Sequence, residues 1–178
     1  MRRLISFLVL TTLSLGPQAD TLGLRVISSD PPLIDQQLQS EPLAIVVNRS
    51  NPVNDLSTGD LREIFLAYRS HWKNGRRITL VMRDPGEPES KTILRDVCGM
   101  NQDQFKTHFL HGLYTGEILV SPKTLATPTG VREFIFNVPG AIGYVRFGDL
   151  DSSVKVVRVD ELLPGEKGYK LRVQSKVN

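Results

Sequence analysis

The stretch Leu43-Ala-Ile-Val-Val-Asn-Arg-Ser-Asn-Pro52 joins five consecutive apolar residues to a polar turn. An unbroken apolar run of this length is typical of a strand that is buried on both faces of a sheet. The asparagines, serine and proline that follow it have turn chemistry and end the strand. The sequence therefore predicts a central strand at residues 43–47.

Two further apolar runs, residues 78–82 and 140–147, predict two more core strands, and alternating runs at 154–159 and 169–173 predict peripheral ones. Helices are expected to begin near Ser57, Ser90, Asn101 and Thr129. Strands that alternate with helices indicate an α/β protein with three layers, α/β/α, around a mixed, mainly parallel sheet.

The first helix has the clearest pattern. Ser57 is a suitable N-cap residue for it. Apolar side chains then recur at helical spacing and predict one buried face: Leu61, Ile64, Phe65 and Tyr68.

The start of the chain predicts export. Two arginines, Arg2 and Arg3, precede an apolar run that ends at Leu15, which is the pattern of a signal peptide and is too short to span a membrane. We expect cleavage after Ala19, with Gly16 as a rival site, and a periplasmic location. Residues 1–19 are then the signal peptide, residues 20–41 a lead-in segment with a strand candidate at 24–28, and residues 42–178 the folded domain.

Composition limits the possible partners. The whole chain has 22 Lys and Arg and 19 Asp and Glu, a net charge of +3, and removal of the predicted signal peptide reduces it to +1 because only Arg2 and Arg3 are lost. A nearly neutral chain does not favour nucleic acid as a partner. The single cysteine, Cys98, has no partner for an internal disulfide.

Three stretches together resemble a known family: residues 46–52, residues 56–65 with Trp72 after them, and Pro139-Gly-Ala-Ile-Gly-Tyr-Val145. They are similar to the second lobe of the phosphate-type substrate-binding proteins of ABC transporters, over residues 42–147. The resemblance implies a single lobe of the type 2 periplasmic-binding-protein fold. It also implies a binding protein rather than an enzyme, without cofactor or metal.

The resemblance implies an anion site as well. In the phosphate-binding members this lobe supplies an arginine and a Ser-Gly-Thr triplet at a helix start, where backbone N–H groups and hydroxyls suit a tetrahedral anion. Arg83 matches the arginine, and Gly86 matches the glycine before the triplet. The expected site lies at one rim, where strands end and helices begin, and consists of Asn48, Ser50, Arg83, Gly86, Ser90 and Thr129.

The triplet itself is replaced by Glu87-Pro88-Glu89. A carboxylate about 5 Å from a bound anion, at an effective dielectric of about 20, repels it by roughly 3 kcal/mol. Pro88 also lacks a backbone donor. Both glutamates equally suit the ordinary role of acids that stabilise a helix N-terminus.

Two functional hypotheses follow. The chain is an extracytoplasmic solute-binding protein for a phosphate-like oxyanion, or it is a periplasmic interaction module that docks on a membrane sensor or transporter. A homodimer is a third way to complete the half-cleft of a single lobe.

Other candidate residues have weaker patterns. His108 and His111 have helical metal-ligand spacing, but no third ligand is evident near them. A basic cluster surrounds the end of the first helix and fits either a solvated face or a docking patch for an acidic partner: Arg62, Arg69, Lys73, Arg76 and Arg77.

Overall fold

A computed structural model describes residues 40–174 of the chain. The predicted signal peptide, the strand candidate at 24–28 and the lead-in segment up to residue 39 lie outside the described residues. Within them, no helix has the length and apolar character needed to cross a membrane.

The described residues form one mixed sheet. Its strands are β1 (Ser40–Val47), β2 (Asp55–Leu56), β3 (Thr79–Arg83), β4 (Lys123–Leu125), β5 (Ala141–Arg146), β6 (Lys155–Val159) and β7 (Arg172–Gln174). The strand order is β2-β6-β1-β5-β3-β4, with β7 paired to β1. Strand β1 pairs antiparallel with β5, β6 and β7, whereas β3 pairs parallel with β4 and β5, and β2 pairs parallel with β6.

Four α-helices connect the strands of the described residues. They are α1 (Thr58–Phe65), α2 (Pro88–Ile93), α3 (Gln102–Thr115) and α4 (Pro128–Asn137). Helix α2 continues as a π-helix over Leu94–Cys98, which ends at Gly99 in the left-handed conformation.

The side chains of β1 divide the core into two layers because successive residues of a strand face opposite sides of the sheet. Leu43, Ile45 and Val47 pack in one cluster with residues of α1, α2, the π-helix and α3. Ala44 and Val46 pack in a second cluster with residues of α4. The predicted three-layer α/β/α architecture with a mixed sheet is therefore confirmed, and β1, β5 and β3 are its central strands, as expected.

The predicted helix starts are close to the observed ones. Ser57 and Asn101 are N-caps, each in a reciprocal capping box. The other two helices begin slightly earlier than expected, after the N-caps Glu87 and Thr127.

The buried face of α1 is shorter than the sequence pattern indicates. Leu61, Ile64 and Phe65 are buried, but Tyr68 is 68% exposed, so its expected place on that face is wrong. The helix ends at Phe65, and Ala67 adopts a positive φ of 59°, which takes Tyr68 out of the helical register.

Candidate functional site

The strand directions separate the expected site residues into two groups. Because β1 is antiparallel to β5, Val47 at its end pairs with Ile142 near the start of β5, and Leu43 pairs with Arg146 at the end of β5. Strand β3 runs parallel to β5, so its last residue, Arg83, lies at the opposite end of the strands from the last residue of β1. The two ends of the strands are here called the two edges of the sheet. The expected single rim is therefore not formed.

Asn48 and Ser50 lie at the edge where β3 and β5 begin. The Asn48 side chain is buried, and its Nδ2 donates to the carbonyls of Ile135 and Phe136 at 2.8 and 2.7 Å. Its Oδ1 accepts from the backbone N–H and the hydroxyl of Ser50 at 2.9 and 2.7 Å. Asn48 thus joins the end of α4 to the end of β1, and its polar atoms have partners within the protein.

Arg83, Gly86, Ser90 and Thr129 lie together at the other edge. Strand β4 runs parallel to β3 and leads into α4, so this helix begins beside Arg83. Arg83 Nη1 donates to the carbonyl of Ala126, just before the helix. A Cβ at Gly86 would have no atom within 4 Å, and Thr129 is exposed at the first turn of α4.

The Ser90 hydroxyl belongs to a closed ring of hydrogen bonds. The Arg83 backbone N–H donates to Tyr144 Oη at 3.1 Å, and Ser90 Oγ donates to the Arg83 carbonyl at 2.8 Å. Ser90 has one hydroxyl hydrogen, so the 2.8 Å contact between Ser90 and Tyr144 has Tyr144 as donor. Burial raises the pKa of Tyr144 to about 12, which keeps this phenol protonated. Ser90 has no hydrogen left for a ligand.

The guanidinium of Arg83 faces a carboxylate of the same chain. Its side chain is 7% exposed, and Nη2 lies 3.5 Å from Glu87 Oε2, whose side chain is 40% exposed. Arg83 Nε is buried and has no hydrogen-bond partner among residues 40–174. The arginine expected from the sequence is thus present, and the chain itself supplies the anion beside it.

Glu89 points inward rather than toward solvent. Its side chain is 5% exposed and accepts a hydrogen bond from Arg146 Nε at 2.5 Å. This bond raises the pKa of Arg146. Glu41 lies 3.6 Å from the same guanidinium. Together with Arg83 and Glu87, these side chains are two arginines and three glutamates, with one net negative charge among them.

Tyr144 and Arg146 are site residues that sequence reasoning missed. Both belong to β5, where the period of two places Ile142, Tyr144 and Arg146 on one face. That alternation was a usable signal, because it puts a phenol and a guanidinium on the same side of the strand.

Residues 40–174 contain no group of three or more His, Cys, Asp or Glu side chains suited to a metal. His108 contacts the Leu66 carbonyl through Nε2 at 2.9 Å. Cys98 is buried, and burial raises its pKa to about 12, so it is not a nucleophile at neutral pH.

No protein-family model matches the chain. The phosphate-binding protein PstS of Bacillus subtilis is 27% identical over 140 residues, which cover 76% of this chain and 41% of PstS. A Clostridium perfringens structure with bound phosphate, assigned as a phosphate ABC transporter substrate-binding protein, superposes with a TM-score of 0.62 at 21% identity, over 76% of this chain and 54% of that one. PstS of Borrelia burgdorferi superposes with a TM-score of 0.60 at 12% identity, over 76% of this chain and 55% of that one.

The chain thus spans about half the length of the relatives it matches, which fits a single lobe. These relatives are substrate-binding proteins and not enzymes. The sequence resemblance is confirmed: the described part of the chain has the fold of the phosphate ABC transporter substrate-binding proteins.

Proposed function

We propose that the chain is an extracytoplasmic protein of the phosphate-type substrate-binding fold that acts by docking on a membrane transporter or sensor, and not as a free-standing phosphate receptor. The observation that carries the proposal is the pairing of Arg83 with Glu87, which fills the position of the expected anion with a carboxylate of the chain. The predicted signal peptide supports the extracytoplasmic location.

Electrostatics disfavours a second anion at this edge. Repulsion between a phosphate and a carboxylate about 5 Å away, roughly 3 kcal/mol at an effective dielectric of about 20, falls to about 1–2 kcal/mol for Glu87 because its side chain is 40% exposed to screening water. That range corresponds to about fivefold to thirtyfold in affinity.

The hydrogen-bond donors that an anion requires are also scarce. The Ser90 hydroxyl donates to the Arg83 carbonyl, and Pro88, the first residue of α2, has no N–H. A single lobe also presents only one wall of a cleft, whereas small-ligand sites enclose most of the ligand surface. Contact with another protein does not require these features.

Calorimetry with inorganic phosphate tests the proposal. We expect no binding tighter than about 1 mM by the wild-type chain, and Glu87→Gln is expected to tighten binding about tenfold. Glu133→Gln, an exposed acid on α4, is the matched control and is expected to change nothing. Micromolar phosphate binding by the wild-type chain rejects the proposal, and equal behaviour of the two variants rejects its electrostatic basis.

A second candidate is an oxyanion-binding lobe completed by another copy of the chain. The buried Arg83 Nε, without a hydrogen-bond partner among the described residues, favours it because a bound oxyanion supplies an acceptor. This reading predicts that millimolar phosphate shifts the chain from monomer to dimer in sedimentation velocity. It also predicts thermal stabilisation, about 2.7 kcal/mol at a hundred times the Kd. A monomer at every phosphate concentration eliminates it.

A further inference from the structure

Exposed large apolar side chains concentrate on α3 and on the connection that follows it. Tyr114 is 91% exposed, Leu119 is 74% exposed and Val120 is 56% exposed. Monomeric soluble proteins rarely leave such side chains grouped without a function. Such a grouping is typical of a surface that contacts another molecule.

Leu119 and Val120 line a groove of about 590 Å³, here called the α3 groove. It lies between the end of α1, the start of β3 and the connection from α3 to β4. Phe109 and Ile118 are buried at its base, and Tyr68 and Leu119 line it. Gly112 lets the connection approach the helix, because a Cβ there would lie 2.6 Å from the Ile118 side chain.

The rim of the α3 groove has an excess of cations that have no ion-pair partner among residues 40–174. Arg77 and Lys123 are exposed and form no ion pair with any described residue. Arg69 also lines the groove but is neutralised by Asp60 and Glu63, each at 2.6 Å. Glu117 is the one acidic residue among the lining residues.

We propose that the α3 groove binds an acidic peptide segment of the partner protein whose large apolar side chains enter the groove. This inference rests on the proposed docking function and names the chemistry of the partner. Apolar anchors match Leu119 and Val120, and carboxylates complete ion pairs with Arg77 and Lys123, as in other peptide-binding grooves that combine apolar pockets with rim charges.

Two other occupants fit less well. In a dimer related by a two-fold axis, the cationic rim of one copy faces the cationic rim of the other, and the two rims repel each other. A lipid surface is flat, whereas the α3 groove is concave, and Phe109 and Ile118 in its lining are buried. Charge complementarity and shape thus both favour an acidic peptide.

Fluorescence anisotropy with designed peptides tests the inference. The probe is a fluorescein-labelled amphipathic peptide with leucine on one face and glutamate on the other, and its matched control carries lysine in place of glutamate. We expect the acidic peptide to bind at least about tenfold more tightly than the basic one. Raising salt from about 0.05 M to about 0.5 M is expected to weaken it.

Variants place the binding in the groove. Leu119→Ser with Val120→Ser is expected to weaken the acidic peptide about tenfold or more. Arg77→Glu with Lys123→Glu is expected to invert the preference, so that the basic peptide binds better. Because these side chains are exposed, urea midpoints are expected to stay unchanged. Phe136→Ser and Lys167→Glu, at exposed positions outside the groove, are the matched controls.

Each alternative result overturns the inference. Absence of peptide binding, equal binding of both peptides, or loss through the control variants rejects the α3 groove as the site. If the chain is a dimer that Leu119→Ser converts to a monomer, the surface belongs to a second copy of the chain. If the chain binds anionic phosphatidylglycerol vesicles more tightly than peptide, the surface belongs to a membrane. Phosphate calorimetry on the same proteins distinguishes the two proposals. Tight phosphate binding refutes the docking function. If neither phosphate nor the acidic peptide binds, only the acidic-peptide groove is refuted.

Discussion

Replacing Glu89 by glutamine removes a buried charge that the sequence presents as an ordinary helix-start acid. Its carboxylate lies 2.5 Å from Arg146, and the two side chains are 5% and 26% exposed. Removing one partner of a fully buried ion pair costs about 3–5 kcal/mol. Here Arg146 is partly solvated and keeps Glu41 at 3.6 Å, so we expect a loss of about 2 kcal/mol in the free energy of unfolding.

Glu87→Gln is the matched comparison, because Glu87 stands two residues away and its side chain is 40% exposed. An exposed ion pair is worth about 0.2–1 kcal/mol. In urea denaturation with a slope near 1.5 kcal/mol/M, Glu89→Gln is expected to lower the midpoint by about 1.3 M, and Glu87→Gln by less than about 0.7 M. Equal midpoints for the two variants would refute the separation of a buried from an exposed glutamate.

The remaining predictions concern packing and the cysteine. A Cβ at Gly140 would lie 2.1 Å from the Arg77 carbonyl, so Gly140→Ala is expected to destabilise the fold by about 1–3 kcal/mol in urea denaturation, while Gly86→Ala, with no atom within 4 Å, is expected to change little. Asn48→Ala leaves two carbonyls at the end of α4 without their donor and is expected to cost about 1–3 kcal/mol. Because burial raises the pKa of Cys98 to about 12, the native thiol is expected to resist iodoacetamide at pH 8 and to react in urea; labelling of the native chain at the unfolded rate contradicts this.

The central strands and the first helix were predictable because their signals are local. The runs at 43–47, 78–82 and 140–147 are short, mostly apolar and bounded by turn residues, which is typical of strands covered on both faces of a sheet. The capping box at Ser57 and the spacing of Leu61, Ile64 and Phe65 fix α1 without reference to the rest of the chain.

The site was only partly predictable because the sequence of a single strand does not predict the direction in which that strand runs in the sheet. Residues 43–47 have the same composition whether the strand runs with or against its neighbours, and the long connection to β3 is compatible with both. The rule that ligands gather at the carboxyl ends of strands holds for parallel strands. Applied to antiparallel β1, it placed Asn48 and Ser50 on the wrong edge.

The orientation of the Glu87 and Glu89 side chains could not be predicted from the sequence for a related reason. Glu87 and Glu89 both suit a helix start, and only the position of Arg146 at the end of β5 selects Glu89 for burial. With Glu89 inside, Glu87 is the acid that faces Arg83. A glutamate at this position therefore changes the role of the arginine: its guanidinium joins the end of β3 to the carbonyl before α4. In this chain Arg83 therefore has two partners within the protein, the Glu87 carboxylate and the Ala126 carbonyl.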